Sequence, residues 1–249
     1  MRREPVLDPG ELFFLHSSYV KARSDPPEPD RDLWPGHFRT YPGAPRYALP
    51  SVGRPLGMPL GQALASRRTV RDFELGSLAL ETLARLLHAS YGVSEWSKAE
   101  GQWLARRPVP SAGALYPLEI YVAAQRIEGL PDGLFHYDPR AHVLELRERG
   151  NLHPRLARLT WVPDSVARAN LVILITGVIP RTTWKYGLRG YRFLWMEAGH
   201  LGQNLLLAAR ALGLGALPVG GFSDQDVDRA AGLTADERTL YLVCVGISP

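Results

Sequence analysis

The sequence has one cysteine, no long apolar run and only a small excess of positive charge. A single thiol, Cys244, excludes an internal disulfide framework and any multi-cysteine site, and such scarcity is typical of a cytoplasmic protein. The longest apolar run, residues 171–175, is far too short to cross a bilayer, and no secretory signal pattern precedes it. The net charge of +4 is too small to indicate a nucleic-acid-binding protein. We therefore expect neither a membrane nor a nucleic acid as partner.

The overall composition is typical of a globular protein, but the first 55 residues are rich in proline. The chain has 249 residues, 45% hydrophobic and 22% charged, which is enough to bury a sizeable core. Ten of the 21 prolines fall within the first 55 residues. Proline lacks an amide donor and disfavours helix at the residue before it, so this segment is not a packed helical unit. We predict a proline-rich N-terminal arm, residues 1–57, with one short helix over residues 11–21, and a globular domain, residues 58–249.

Hydrophobic periodicity predicts helices and strands in irregular order. Helices are expected at residues 59–68, 78–91 (with Ser77 as N-cap), 191–212 and from Ser223 onward. Strands are expected at residues 118–125, 134–137, 143–146, 171–176, 216–219 and 239–245. Residues 93–110 have no clean period and are expected to form a loop. The absence of a strict strand–helix repeat predicts an α+β fold, with a mixed central sheet flanked by helices.

The first candidate site is the segment SRRTVR, residues 66–71. Guanidinium forks form bidentate, charge-assisted hydrogen bonds, so closely spaced arginines and hydroxyls can surround a phosphate. The alternative is a solvated helix end, because basic residues favour helix C-termini. The segment is not a P-loop, since no glycine-rich turn with a lysine precedes it.

Two other segments combine small residues with turns. The segment PVPSAGALYP, residues 108–117, would let a backbone approach a flat ligand closely. The segment LPVGGF, residues 217–222, places a glycine pair where a strand ends, so that bare amides can face a ligand. Taken alone, each is equally compatible with an ordinary loop or turn.

Groups suited to proton transfer occur in the segment WKYGLRGYR and in the long predicted helix. Lys185 and Tyr186 are adjacent, and an ammonium group beside a phenol lowers the pKa of the phenol. An exposed basic loop is the alternative interpretation. Glu197, His200 and Asn204 share a helix face but include one histidine, which excludes a two-histidine zinc pattern and favours polar helix contacts. No metal site is predicted.

The order of these segments along the chain resembles that of the nitroreductase-like flavoprotein superfamily. The likeness runs through SRRTVR, PSAGALYP, KYGLRGYR and GHLGQNLLLAARALGLG to PVGGF, over about residues 58–246. PSAGALYP and KYG-x-RGYR resemble more specifically the SagB/ThcOx-type branch, the azoline dehydrogenases. The opening FLHSSYVK and the stretch HFRTYPGAPRYALP also resemble the N-terminal extension of that branch.

The resemblance implies FMN as the cofactor, with its phosphate and ribityl chain held by Arg67, Arg68 and Thr69. It implies that Arg71 reaches the pyrimidine edge of the flavin ring. Many relatives carry a further basic residue after the last strand. This sequence has only Ile247, Ser248 and Pro249 there, so the phosphate is expected to depend more heavily on the arginine cluster.

The resemblance also assigns residues to the flavin ring and to catalysis. It implies that one loop lines the flavin from the partner subunit, through Pro110, Ser111, Ala112, Gly113 and Ala114. It implies that the end of a strand also contacts the flavin, through Pro218, Val219, Gly220 and Gly221. The two glycines of that set would offer amides near the flavin N5. Lys185 and Tyr186 correspond to the catalytic pair of the branch.

The implied activity is the FMN-dependent oxidation of a thiazoline or oxazoline in a peptide or peptide-like substrate to the azole, with oxygen reoxidising the flavin. The expected assembly is a homodimer with the flavin at the subunit interface, together with a cyclodehydratase or carrier protein as partner. Two alternatives stay open. One is an NAD(P)H-dependent nitro or quinone reductase on the same fold, and the other is a non-catalytic scaffold subunit of a peptide-modifying complex.

Overall fold

A seven-stranded sheet organises the fold in the computed structural model, which describes residues 8–18, 35–53, 55–99 and 102–249. The helices, in chain order, are α1 (Pro9–His16), α2 (Leu60–Ser66), α3 (Leu80–Tyr91), α4 (His153–Ala157), α5 (Pro163–Arg168), α6 (Pro180–Tyr186), α7 (Arg189–Ala211) and α8 (Asp224–Ala230). The strands are β1 (Arg46–Ala48), β2 (Glu95–Ala99), β3 (Gln102–Arg106), β4 (Leu118–Ala124), β5 (Gly133–Asp138), β6 (Val143–Arg149), β7 (Leu171–Val178), β8 (Leu214–Val219) and β9 (Glu237–Ile247).

The sheet has the strand order β1-β6-β5-β4-β7-β9-β8, and β2 pairs separately with β3. All six ladders of the large sheet are antiparallel. Within the described residues, parallel pairing is limited to isolated bridges, Thr69 with Ala216 and Leu78 with Ile127. Helices separate the strands without a repeating unit, so the predicted α+β class is confirmed. The prediction also gave a mixed sheet, with parallel and antiparallel strands. In the described residues, the parallel pairing consists of those two bridges.

Both faces of the sheet are covered, because successive strand side chains point to opposite sides. Ile120 and Val122 of β4 join the core that α3 and α7 cover. Tyr121 and Ala123 join the opposite core, under α4, α5 and α8. Cys244 lies in this second core, where burial raises its thiol pKa to about 12. Its thiol is therefore a packing group rather than a nucleophile.

Helix α7 is the main support of the first core. An apolar stripe along this helix is buried, comprising Leu194, Ala198, Leu201, Leu205 and Ala208, and Leu212 beyond its end is partly buried. Full burial of a leucine side chain contributes about 1.5–3 kcal/mol, so this stripe, rather than helix propensity, dominates the stability of the helix. The chain leaves α7 through Gly213, whose φ of +75° is the left-handed backbone that favours glycine. The predicted helix at residues 191–212 is confirmed, with its start two residues earlier.

The prediction of a loop over residues 93–110 is wrong, because strands β2 and β3 form a hairpin there. Trp103 is 64% exposed and Trp96 is also exposed, so the large apolar side chains of this hairpin do not face a core. A strand that buries neither face has no hydrophobic alternation for the sequence to display.

The start of α3 also differs from the prediction. The helix begins at Leu80 with Ala79 as its N-cap, and Ser77 does not cap it. Leu78 instead exchanges backbone hydrogen bonds with the segment after β4, donating to Arg126 O at 3.0 Å and accepting from Glu128 N at 2.9 Å. This pairing uses the Leu78 carbonyl, which a helix starting there would need as the acceptor for Thr82 N, and Thr82 N donates to Ala79 O instead.

Three short helices were not predicted, and each has a proline in its first turn, where the missing amide costs nothing. They are α4, α5 and α6. All three have seven residues or fewer, which is too short for a clear period of 3.6 residues. The sequence signal for these three helices was the position of a proline rather than a hydrophobic period.

The N-terminal arm contacts the sheet at several points. Residues 46–48 pair with β6 as strand β1, and Arg39 Nε lies 3.0 Å from a carboxylate oxygen of the buried Glu237. Helix α1 spans Pro9–His16, whereas the prediction was residues 11–21, of which 19–21 lie outside the described residues. The domain boundary at residue 57 stays a prediction. In the part of the chain that the structure describes, no helix is both long and apolar enough to cross a membrane.

Candidate active site

The predicted site residues form two groups at opposite ends of helix α7. The arginine cluster lies at the C-terminal end, beside Arg210, while Lys185 and Tyr186 immediately precede the N-terminal end. The helix has 23 residues, so at 1.5 Å per residue the two groups are separated by roughly 30 Å. Within one chain the two groups therefore lie at separate places along α7, and the Lys–Tyr pair does not line the arginine cavity.

The group at the C-terminal end of α7 surrounds a cavity of about 160 Å³. Its lining residues are Ser66, Arg67, Arg68, Val70, Leu206, Arg210, Leu214, Ala216 and Ser248. The cluster reaches this place because Thr69 bridges to Ala216 of β8, and Val70 N donates to Ala216 O at 3.0 Å. Gly215 permits the approach, since a Cβ on it would lie 2.8 Å from the Val70 side chain.

Arg210 is a member of this group that the sequence analysis missed. Its Nε donates to Ser66 Oγ at 2.9 Å, which holds the guanidinium beside the cluster. Among the described residues, no carboxylate forms an ion pair with Arg67, Arg68 or Arg210. Three guanidinium groups without an acidic partner around one cavity form a site for an anion. The only sequence signal for Arg210 was a basic residue in the last turn of the long helix.

Arg68 and Arg71 differ in their positions relative to the cavity. Arg68 Nη1 donates to Ala65 O at 2.9 Å and to Arg67 O at 2.8 Å, so this side chain also caps the end of α2. Arg71 is exposed and lies outside the cavity lining, and its carbonyl accepts from Ser165 Oγ at 2.7 Å. The structure thus groups Arg67 and Arg68 at the cavity, with Thr69 on the adjoining strand bridge and Arg71 beyond it.

Strand β8 leads from the arginine cavity to the glycine pair. Ala216 lines the cavity, and Pro218 and Val219 complete the strand. Gly220 and Gly221 follow, roughly 13 Å further along at 3.3 Å per residue. Both glycines are exposed, and Gly221 O accepts from Trp161 N at 3.2 Å. The chain therefore arranges cations, strand and bare backbone along one line, as a cofactor with an anionic tail and a flat ring requires.

At the opposite end of α7, the Lys–Tyr pair meets the PSAGALYP loop. A Cβ built on Gly113 would lie 2.6 Å from Tyr186 Oη and 3.2 Å from Lys185 Nζ. Both side chains therefore point at the same small patch of backbone. Gly113 also has a φ of +61°, so both its conformation and its surroundings require glycine.

Sheet pairing explains why these two segments meet. The loop leads directly into β4, and α6 directly follows β7. These strands are antiparallel with Leu118 opposite Gly177, and Val178 N donates to Pro117 O at 2.9 Å. The start of one strand and the end of the other therefore share an edge of the sheet.

The loop itself is tightly folded. Ala112–Ala114 form a single 3-10 turn, and Ser111 Oγ accepts from Tyr116 N at 2.9 Å. Ala114 and Tyr116 have φ values of 53° and 45°, which L side chains rarely adopt. Pro110 and Gly113 are exposed, while Ser111, Ala112 and Ala114 are half-buried. The loop thus offers an exposed glycine backbone held in a fixed and strained conformation.

Helix α6 is fixed by a buried ionic network. Arg181, one turn before Lys185, places its Nη2 2.6 Å from Glu119 Oε1, and its Nη1 donates to Tyr116 O at 3.4 Å. His136 lies between Glu119 and Glu145, with nitrogen–oxygen distances of 2.9 Å and 3.1 Å. The network joins the helix that carries the Lys–Tyr pair to the loop that the pair contacts.

Burial and pairing shift the pKa values of this network in opposite directions. Burial alone would lower the pKa of His136, but its hydrogen bonds to Glu119 and Glu145 raise that pKa to about 9. Burial alone would raise the pKa of Glu119, but Arg181 and His136 lower it to about 2. At neutral pH the network is therefore an alternation of positive and negative charges.

The Tyr186 phenol differs from the sequence-based expectation. Burial raises its pKa, whereas a neighbouring ammonium was expected to lower it. Lys185 Nζ lies 5.5 Å from the centroid of the Tyr186 ring, and the ring packs against Phe193 at 4.9 Å. The phenol is thus protonated at neutral pH and acts first as a hydrogen-bond donor.

The polar residues in the middle of α7 do not form a catalytic cluster. Glu197 is buried, and burial raises its carboxyl pKa to about 8, although Ser111 and Arg107 oppose the shift. His200 is exposed, and Asn204 Nδ2 donates to Ser90 O at 3.4 Å. The predicted role in helix contacts holds for Asn204, while Glu197 lies behind the PSAGALYP loop.

Three comparisons with known proteins place the chain in a family. The family model "Nitroreductase family" matches residues 64–247. The nitroreductase-family protein MJ1384 of Methanocaldococcus jannaschii is 36% identical over 187 residues, which cover 75% of this chain and 90% of that protein. A crystal structure of a nitroreductase-family protein from Anabaena variabilis matches with a TM-score of 0.76 and 26% identity. That match covers all of this chain and 49% of the other.

A second relative supports the resemblance to the SagB-type branch. The microcin B17-processing protein McbC of Escherichia coli is 30% identical over 140 residues, so the match covers 54% of this chain and about half of McbC. This similarity supports the SagB-type branch that the PSAGALYP and KYG-x-RGYR motifs indicated. With the fold, the two motif segments and the family match in agreement, the chain belongs to the nitroreductase family of oxidoreductases.

Proposed function

We propose that this protein is an FMN-dependent dehydrogenase that oxidises a thiazoline or oxazoline ring in a peptide or peptide-like substrate to the azole. The observation that carries the proposal is the convergence of Lys185 Nζ and Tyr186 Oη on the exposed backbone of Gly113. A nitroreductase needs an open cofactor face, whereas removal of a ring proton also needs a base and a donor beside it. The names of two relatives, microcin B17-processing and trifolitoxin-processing protein, agree with a peptide substrate.

The cofactor would be held by the groups that fit it. Arg67, Arg68 and Arg210 suit the phosphate because they line one cavity and, among the described residues, have no acidic partner. Thr69 and Arg71 continue from the cavity, and the strand end Pro218–Gly221 would lie against the ring. Bound FMN would supply the acceptor for the two electrons that leave the substrate. A second copy of the chain would supply Pro110–Ala114 on the other side.

The second copy follows from the separation of the two groups along α7. An antiparallel crossing of two α7 helices brings the arginine end of each chain to the Lys–Tyr end of the other. An exposed stripe on α7 suits such a crossing, with Trp195, Met196, Gly199, His200 and Gln203. Trp195 is 54% exposed, and Gly199 has open space where a Cβ would be. We therefore infer a homodimer with two sites at its interface.

Within that site, the chain's own groups orient the substrate and move a proton. The Tyr186 phenol, protonated at neutral pH, donates a hydrogen bond to the ring or its neighbouring carbonyl. Lys185 is then the base that removes the proton from the ring carbon, which the adjacent C=N bond acidifies. Gly113 leaves room for both groups, and the Arg181–Glu119 ion pair fixes the helix that carries them.

The decisive experiment uses the full-length protein purified with added FMN and a synthetic thiazoline peptide. We expect a yellow dimer, loss of two hydrogen atoms per ring by mass spectrometry, and consumption of oxygen with formation of peroxide. Flavin bleaching by NADPH in the absence of peptide would instead favour the nitro or quinone reductase, which the 36% identity with the M. jannaschii protein keeps as second candidate. A protein that takes up no FMN would favour the scaffold subunit.

A further inference from the structure

The arginines of the KYG-x-RGYR segment occupy an unfavourable position. Arg189 and Arg192 lie in the first turn of α7, which contains no acidic residue. The amino end of a helix carries the positive end of its dipole, so cations are disfavoured there. Their position must be favoured by something outside α7.

Helix α1 provides that interaction. Arg192 Nη2 donates to Phe14 O at 2.7 Å and its Nε to Ser17 Oγ at 2.8 Å, while Arg189 Nη1 donates to Ser17 O at 3.3 Å. The last carbonyls of a helix lack partners within it, and they form the negative end of its dipole. The two arginines therefore cap the C-terminal end of α1.

The position of α1 depends on these contacts. The helix has eight residues, none of them buried, and a capping box between Asp8 and Glu11 completes its other end. A helix this short is marginal in water by itself. The Arg192 guanidinium also lies 4.9 Å from the Phe14 ring centroid. Among the described residues, the hydrogen bonds and cation–π contacts that join α1 to the domain come from these two arginines.

Arg189 links the end of α1 to the Lys–Tyr pair. It lies 5.8 Å from the Phe193 ring centroid, and that ring packs against Tyr186. The C-terminal end of α1 is thereby joined to Tyr186 through Arg189 and Phe193, while its apolar side chains Leu12, Phe14 and Leu15 are exposed. Phe14 is 63% exposed although it is a large apolar group.

We propose that Arg189 and Arg192 are positioning residues that hold α1 as an apolar wall of the substrate entrance. The wall contacts apolar side chains of the peptide on either side of the reacting ring. This inference rests on the proposed function for the identity of its occupant, a peptide. It assigns specificity for the peptide to the N-terminal arm, while the chemistry stays with Lys185 and Tyr186.

The test compares wild type, Arg192→Ala and Arg192→Lys, each as full-length holoprotein. Hydrogen exchange of residues 9–17 reports on α1, and fluorescence anisotropy measures the affinity of a labelled thiazoline peptide. We expect faster exchange in Arg192→Ala and about tenfold weaker peptide binding, with unchanged FMN content. Lysine cannot span both acceptors, so Arg192→Lys should fall between the other two.

Two further variants distinguish loss of the apolar wall from general destabilisation of the protein. Leu15→Gln changes an exposed apolar side chain that contacts neither arginine, and it should weaken peptide binding without accelerating exchange. Arg155→Ala removes an equivalent contact at another helix end, where Arg155 Nη2 donates to Ala230 O at 2.9 Å, and should leave peptide binding unchanged.

Other results would overturn the inference. Unchanged exchange in Arg192→Ala would show that the arginines do not hold α1. Faster exchange with unchanged peptide affinity would show that α1 is not part of the entrance, and conversion of the dimer to a monomer would make α1 a subunit contact. Because affinity is measured apart from turnover, a protein that binds the peptide without oxidising it would refute the proposed function alone.

Discussion

The two ends of helix α7 hold charged groups in different ways. At the C-terminal end, the guanidinium groups of Arg67, Arg68 and Arg210 face a cavity without acidic partners. At the N-terminal end, Lys185 and Tyr186 stand on a helix that a buried network of alternating charges fixes in place. In the described part of the chain, the guanidinium groups of the first end bond only to a hydroxyl and to carbonyls, whereas the Lys–Tyr end is fixed by ion pairs. If the proposed function holds, binding energy and catalytic geometry come from separate parts of the chain.

The largest effect is expected at the Lys–Tyr end. Lys185→Ala or Tyr186→Phe should lower turnover of a thiazoline peptide by about 10²- to 10⁴-fold, the usual contribution of positioned proton transfer. FMN content, measured by absorbance after gel filtration, should not change. Tyr241→Phe is the matched control, because burial also raises the pKa of this half-buried phenol, which lies on β9. Wild-type turnover in both variants would remove the catalytic assignment.

The next largest effect on turnover is expected at Gly113, which faces the Tyr186 and Lys185 side chains. Gly113→Ala places a Cβ 2.6 Å from Tyr186 Oη and should lower turnover by up to about 10²-fold through displacement of the phenol. Gly129→Ala is the control, because Gly129 has a φ of +73° and nothing within 4 Å of its Cβ position. Both variants should lose roughly 1–2 kcal/mol of unfolding free energy from backbone strain. Equal turnover in the two variants would mean that the contact has no catalytic role.

Substitutions at the arginine end of α7 should lower the affinity for FMN without changing the rate of the chemical step. Arg210→Ala should weaken FMN binding by about ten- to a hundredfold, because hydrogen bonds to charged groups contribute roughly 1.5–3 kcal/mol. Riboflavin, which lacks the phosphate, should bind both forms equally in a fluorescence titration. Arg71→Ala offers the contrast, since a contact with the ring edge would weaken both flavins alike. A similar loss of FMN and riboflavin in Arg210→Ala would exclude the phosphate role.

A pH dependence of the free energy of unfolding, rather than of activity, is expected from the network at the Lys–Tyr end. The pKa of His136 is about 9 in the folded chain and near 6.5 when unfolded, so its contribution is fully present below pH 6.5. That stability is lost as the pH rises through about 9. Urea unfolding should therefore give a larger drop in free energy between pH 6.5 and 9.5 for wild type than for His136→Gln. FMN affinity should not follow this difference, because the arginine end has no contact with the network.

Local patterns predicted the elements with a strong hydrophobic signal and missed those without one. Helix α7 and the apolar strands β4, β7 and β9 were predicted, because α7 buries one face at helical spacing and the strands contain apolar runs that are largely buried. The hairpin of β2 and β3 buries little and left no period, and α6 was too short to display one. The arginine cluster was recognisable because its members are contiguous. Arg210 joins it from a distant helix and had no comparable signal.

The sequence alone determined the α+β class, the long helix, the closely spaced arginines of residues 67–71 and the adjacency of Lys185 and Tyr186. The reason is that these features depend on neighbours within a few residues, where side-chain spacing is fixed by the helix or strand. Only the tertiary structure decided that the Lys–Tyr pair faces Gly113 and that the arginine cluster lies at the other end of α7. Those contacts depend on the antiparallel register of β4 with β7 and on the approach of residues 69–70 to β8, which local periodicity does not encode.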